Sequence, residues 1–199
     1  MIDKPEIVLA SNSSRRREIL EHLGLHPKII VSDADESVDR QLPPDILTTE
    51  LAERKLNAVK NRTSDDEIVL AADTVVEKDG VIFGKPATPG AAFNMLKTLS
   101  GTTHSVVSGI AVSYRGKTFT SSELTKVTFR KIDDSEILAY IKSGEPFDKA
   151  GGYGIQDKAS VFVKKINGDY FNVVGLPVFG FFNVLRNKFG IDPFSFLSR

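Results

Sequence analysis

The segment Ile7 to Leu20, IVLASNSSRRREIL, constrains this chain more than any other. Ile7-Val8-Leu9-Ala10 is an apolar run short enough for a buried strand, and Ile19, Leu20 and Leu23 then recur at helical spacing. Between them lie only Ser11, Asn12, Ser13 and Ser14, so a strand turns directly into a helix, which Gly24 ends as a C-cap. Ser13 or Ser14 suits the N-cap, but Arg15, Arg16 and Arg17 then crowd the first turn, where the helix dipole is already positive. Glu18 stands one residue too late for a capping box with Ser14. An anion held by backbone N–H groups and arginine forks makes sense of that placement; a solvated basic turn is the alternative.

Composition narrows the rest. The 199 residues suffice for one domain, or one domain with two lobes, around a substantial core. Lysine plus arginine and aspartate plus glutamate each number 26, so no global field favours nucleic acid or acidic lipid, and any anion site is local. The absence of cysteine excludes disulfides, thiolate metal sites and cysteine nucleophiles. Acidic Asp3 and Glu6 at the front, with no basic-then-apolar leader, point to a soluble cytoplasmic protein. No apolar run approaches the ~20 residues of a membrane span.

Farther along, Lys28 to Val31 reads as a second strand that runs into Ser32-Asp33-Ala34-Asp35-Glu36-Ser37, either an acidic surface loop or ligands for a hard cation. Asp45 to Asn61 has helical periodicity, with Lys55 on the same side as Leu47, Leu51, Ala52, Leu56 and Val59. A lysine facing that way either snorkels out or meets an anionic partner, and the second reading is favoured. Glu67 to Ala72 reads as a buried strand ending at Asp73-Thr74, where catalytic carboxylates of α/β sheets project. Asp79-Gly80 makes a turn, and Gly84-Lys85-Pro86 fixes a loop too short of glycines for a Walker A motif.

Thr88-Pro89 opens a helix that Gly101 closes, and Val106 to Tyr114 pairs with Thr118 to Phe129 around Arg115-Gly116. His104 lies just before that pair; with histidines only at positions 22, 26 and 104, neither a histidine metal cluster nor a serine-histidine triad is supported. Asp133 and Glu136 form a capping box for a helix ended by Gly144. The loop from Gly144 to Asp157 holds four glycines among charged and amide groups, a composition suited to function. Ser160 to Ile166, Asn167-Gly168 and Tyr170 to Val174 read as a hairpin, and Val178 to Phe189 as a closing helix.

Taken in order, these landmarks resemble the Maf family of nucleoside triphosphate pyrophosphatases. The matching residues are Leu9-Ala10-Ser11 through Ser13 and Arg15-Arg16, Asp35-Glu36, Leu51-Ala52 with Lys55, and Ala72 to Val76. They continue through Gly84-Lys85-Pro86, Leu99-Ser100-Gly101 with His104, Gly144-Glu145-Pro146, Asp148 to Gly151, Tyr153 to Gln156 and Val174 to Pro177. The resemblance implies a single α/β domain over residues 1–199, with a mixed, bent sheet flanked by helices in two lobes about a central cleft (Maf/ITPase-like). It also implies a homodimer. The implied reaction is hydrolysis of a nucleoside triphosphate to the monophosphate and pyrophosphate with a divalent cation, Mg²⁺ or Mn²⁺.

By position, Arg15, Lys55 and Lys85 would hold phosphates, with Arg16 and Ser13 assisting. Asp35 or Glu36 would bind the metal together with Asp73, which would also be the proton acceptor that activates water. Arg15, Thr74 and Gln156 match positions tied to substrate choice, and Asp148 to Gln156 resembles the branch acting on dTTP and UTP rather than on 7-methyl-GTP. Gln156 can donate and accept at once, which suits the carbonyl and N–H edge of uracil or thymine. The sequence departs from the family pattern at Ser14, where proline is usual, and at Leu56, Gly152 and Asp157. A non-catalytic nucleotide-binding regulator of cell division is the alternative function; nucleic-acid binding is disfavoured by the balanced charge.

Overall fold

The computed structural model describes residues 4–37 and 42–197. The opening segment folds as β1 (Ile7–Leu9) and α1 (Ser14–His22), followed by β2 (Lys28–Ile29), α2 (Pro44–Val59) and β3 (Ile68–Lys78). After these come β4 (Val81–Phe83), α3 (Pro89–Leu99), β5 (Thr103–Tyr114), β6 (Lys117–Phe129) and α4 (Asp134–Lys142). The chain ends with β7 (Val163–Asn167), α5 (Tyr170–Val174), α6 (Val178–Phe189) and α7 (Phe194–Leu197).

Among the described residues the strands hydrogen-bond in the order β2-β1-β3-β5-β6-β7, with β4 added on β3. β1 runs parallel to β2 and β3, whereas β3–β4 and β6–β7 are antiparallel, so the expected mixed α/β sheet is present. Every residue of β1 is buried, as befits a strand flanked on both edges by parallel neighbours. Its register on β3 pairs Ile7 with Ile68 and Leu9 with Leu70.

The chain divides into two compact units. One comprises Met1–Asp73, Ser108–Glu123 and Gly175–Arg199. Its core gathers Val8 and Ala10, Val69 and Ala71, and Ala52, Leu56 and Val59 from one face of α2. Gly109 permits α2 to come this close, because a Cβ there would stand 2.4 Å from the Thr48 carbonyl carbon. The other unit comprises Thr74–Val107 and Leu124–Val174 and packs Leu96, Leu99, Phe129, Ile137, Tyr153 and Phe162 together.

Local signals act as the residues suggest at most helix ends. Ser13 caps α1, Thr88 caps α3 by accepting from the Ala91 N–H at 3.1 Å, and Asp133 with Glu136 forms the α4 capping box. Gly24, Gly101 and Gly144 follow helices with positive φ.

Three expectations are corrected. β3 does not end at Ala72: Thr74, Val75 and Val76 are β-formers, no breaker intervenes before Asp79-Gly80, and Asp73 therefore lies inside an eleven-residue strand. Lys28 to Val31 yields only the two-residue β2. The hairpin expected over residues 160–174 is absent, since Tyr170–Val174 is helical and β7 pairs with β6 instead. Asp169 decides this: its carboxylate accepts the Phe171 N–H at 2.8 Å, its carbonyl accepts the Val173 N–H, and its own N–H donates to Thr125 Oγ1 at 3.0 Å. Asn167-Gly168 thus turns the chain into a capped helix.

Candidate active site

The strand-to-helix turn is fastened by its serines. The Ser13 N–H donates to Ser11 Oγ at 3.2 Å, and Ser13 Oγ accepts the Arg16 N–H at 3.5 Å. The three arginines of the next turn separate sharply. Arg17 is exposed and pairs with Glu21 one helical turn on, at 3.5 Å, which makes it the solvated member. Arg16 turns inward: its Nε donates to the Gly175 carbonyl at 2.8 Å and its Nη1 to Ser11 Oγ at 3.1 Å. Burial pulls the Arg16 pKa below the usual arginine value; Asp73 and Glu36 oppose that shift, while Arg15 adds to it. Arginine nonetheless stays charged, so this turn keeps a fixed cation beside two carboxylates. Arg15 is half-buried at the start of α1.

Helical periodicity carries Lys55 to the sheet-facing side of α2, with Leu56 buried next to it. Its ammonium meets carboxylates: Nζ lies 2.6 Å from Asp73 Oδ1 and 3.0 Å from Glu36 Oε1. Lys55 and Asp73 are nearly enclosed, with side-chain exposures of 12% and 13%, whereas Glu36 is 63% exposed. Asp35 points elsewhere. Its Oδ2 and Oδ1 accept the Ser37 hydroxyl at 2.6 Å and the Ser37 N–H at 2.8 Å, and these bonds hold its carboxyl below the ordinary carboxylate pKa. The structure therefore joins Glu36, and not Asp35, to Asp73.

Hard oxygen donors are what a magnesium-type ion takes from a protein, commonly one or two carboxylates beside substrate phosphates. Glu36 and Asp73 supply two such carboxylates, both within ion-pair reach of the Lys55 ammonium, so the donor type suits such an ion. Among the described residues no group of three or more histidine, cysteine, aspartate or glutamate side chains has metal-binding geometry.

The remaining expected residues belong to the second unit. Thr74 follows Asp73 on β3 and is half-buried. Lys85 is exposed in the loop after β4, and Gln156 is exposed in a turn closed by the Asp157 N–H on the Gly154 carbonyl at 3.2 Å. Those two loops are bonded to each other: the Gly151 N–H donates to the Gly84 carbonyl at 3.0 Å, and a Cβ on Gly152 would touch Pro86.

His104 lies within β5 rather than before it, and it is structural. Its Nε2 is 2.7 Å from the Tyr153 hydroxyl, its ring stands edge-on to Phe129, and burial, with Lys78 adding, lowers its pKa to about 4. Sequence reasoning assigned no role to Ser11, Gly175 or Lys149. The buried contacts of Arg16 reveal the first two. The third was signalled only by a lysine among the acids Glu145, Asp148 and Asp157.

Residues 6–188 match the family described as Maf-like protein. A dTTP/UTP pyrophosphatase of Alkaliphilus oremlandii is 47% identical over 189 residues, spanning 94% of this chain and 98% of that protein. One of Bacillus cereus is 46% identical over 187 residues, spanning 94% and 97%. The solved structure of the Staphylococcus aureus Ham1 protein aligns with 62% of this chain and 71% of its own at 18% identity and a TM-score of 0.44. Among the described residues no helix is long and apolar enough to cross a membrane. With a family match that runs from the first strand into α6, and relatives this similar along nearly their whole length, the chain belongs to the Maf family.

Proposed function

We propose that this protein hydrolyses pyrimidine nucleoside triphosphates, dTTP and UTP foremost, to the nucleoside monophosphate and pyrophosphate. The observation that carries the reading is the enclosed Lys55 ammonium between Asp73 and Glu36, beside the arginine turn. The names of the 46–47% identical relatives support the substrate class.

Water attacks the α-phosphorus, the bond from that phosphorus to the α,β-bridging oxygen breaks, and pyrophosphate leaves with the electron pair. Asp73 takes the proton from the attacking water. Arg15, Lys55 and Lys85 offset charge on the phosphates, Ser13 assists at the N-terminus of α1, and Arg16 holds that turn through Gly175 and Ser11. Glu36 and Asp73 would hold the divalent cation, which when bound draws charge from the α-phosphate and the leaving group. Thr74 and Gln156, with Arg15, select the nucleotide. The homodimer and the cytoplasmic location implied by the family resemblance complete the reading; light scattering after size-exclusion chromatography tests the first.

The deciding experiment incubates the protein and Mg²⁺ with UTP, dTTP, CTP, ATP and 7-methyl-GTP and identifies products by ³¹P NMR. Monophosphate and pyrophosphate from UTP and dTTP are expected, with ¹⁸O from labelled water in the monophosphate. Orthophosphate release, or no turnover of any nucleotide, overturns the proposal. Faster turnover of 7-methyl-GTP overturns the substrate assignment alone.

A further inference from the structure

The turn that displays Gln156 is built around a buried cation on another part of the same loop. Lys149 has a side-chain exposure of only 8%, and its Nζ donates to the Glu145 carbonyl at 3.0 Å and to Asp148 Oδ1 at 2.8 Å. The same ammonium lies 3.6 Å from Asp157 Oδ2. Its stem runs past Gly154: a Cβ there would stand 2.6 Å from Lys149 Cε and 2.8 Å from Asp157 Oδ2. Close approach, rather than a left-handed φ, thus makes glycine the residue that fits at 154 with the Lys149 stem in place; a larger residue would push that stem and the Asp157 carboxylate aside.

Gly154 and Asp157 are the first and last residues of the turn closed by the Asp157 N–H on the Gly154 carbonyl. Lys149 thus meets both ends of the four-residue segment whose third member is Gln156. On either side of Gly154, Tyr153 and Ile155 are buried, whereas Gln156 is exposed. An ammonium is costly to bury without partners, so these contacts tie the lysine, the glycine and the aspartate into one arrangement.

We infer that Lys149 is a positioning residue for nucleobase recognition, fixing the Gln156 turn so that its amide meets the base without first being ordered. The inference rests on the function proposed above. An amide discriminates between bases only when its donor and acceptor are held in place, and pre-ordering a loop raises affinity by lowering the entropy lost on binding.

Steady-state kinetics of the full-length protein test this. Wild-type turnover of UTP comes first; its absence overturns the functional reading and this inference with it. Given turnover, Lys149→Met keeps the stem and removes the ammonium, and it should raise KM for UTP by roughly tenfold or more while leaving kcat within about threefold. The preference for UTP over CTP should shrink, and Lys149→Arg should restore part of it. Gln156→Ala should abolish further sensitivity, so that Lys149→Met/Gln156→Ala loses no more than Gln156→Ala alone. A lower Tm with KM and base preference unchanged overturns the inference, as does full additivity in the double variant. Should Lys149→Met fail to fold, Gly154→Ala decides, because it displaces the lysine stem without removing any charged group. An unchanged UTP-to-CTP ratio in that variant is the refuting result.

Discussion

Lys55 Nζ sits 2.6 Å from Asp73 Oδ1, joining the middle of α2 to the interior of β3 through two side chains nearly closed to solvent. The pair couples stability to chemistry, because the same carboxylate is the proposed proton acceptor and the same ammonium a proposed phosphate partner.

Asp73→Asn should lower kcat by about 10²–10⁴, the usual contribution of a positioned acid–base group, with nucleotide affinity largely retained. Isothermal titration with a non-hydrolysable UTP analogue separates the two effects, and a fully active variant refutes the assignment. Lys55→Met leaves Asp73 and Glu36 without their shared cation. It should cost stability as well, by about 3 kcal/mol as for a broken enclosed ion pair, read from urea unfolding.

The two acids of the 32–37 loop should behave differently. Mn²⁺ binding followed by electron paramagnetic resonance should weaken in Glu36→Gln and stay close to wild type in Asp35→Asn, since Asp35 is engaged by Ser37. Equal loss in both variants contradicts the assignment of Glu36.

His104 predicts an acid-sensitive fold. Burial lowers its pKa to about 4 from an unfolded value near 6.5, so the unfolded chain binds the extra proton first. Stability is therefore highest above about pH 6.5 and falls as pH drops toward 4, by up to about 3 kcal/mol from this group. Glu136 acts in a lower window: its pKa is reduced from 4.5 to about 2, chiefly by Arg130, so its contribution is complete above about pH 4.5 and is lost as pH falls from there through about 2. Thermal melts of His104→Gln between pH 7 and 4 should show a flatter slope than wild type.

Gly109→Ala should destabilise by about 1–3 kcal/mol or more through overpacking, because the new methyl meets the α2 backbone at Thr48 rather than a movable side chain. Nucleotide affinity measured on the folded fraction should be unaffected.

Much of the architecture is written in local signals. Ser13, Thr88-Pro89, Asp133 with Glu136, and the glycines after α1, α3 and α4 place helix ends through hydrogen bonds made within a few residues. The 160–174 segment misleads for the complementary reason. Asn167-Gly168 has the composition of a hairpin turn, but Thr125, more than forty residues earlier, accepts the Asp169 N–H and helps commit the chain to a helix.

Periodicity and capping, which depend only on neighbours along the chain, set the strand-turn-helix opening and the inward direction of Lys55, while the ordered motifs from Leu9 to Pro177 carry the likeness to the Maf family. Tertiary structure alone decided which charges meet. It drew Glu36 rather than Asp35 to Lys55, turned Arg16 toward Ser11 and Gly175 while leaving Arg17 in solvent, and laid Lys149 across Gly154 to Asp157. Such choices depend on through-space distance and on the cost of enclosing a charge, and neither follows from the spacing of residues along the chain.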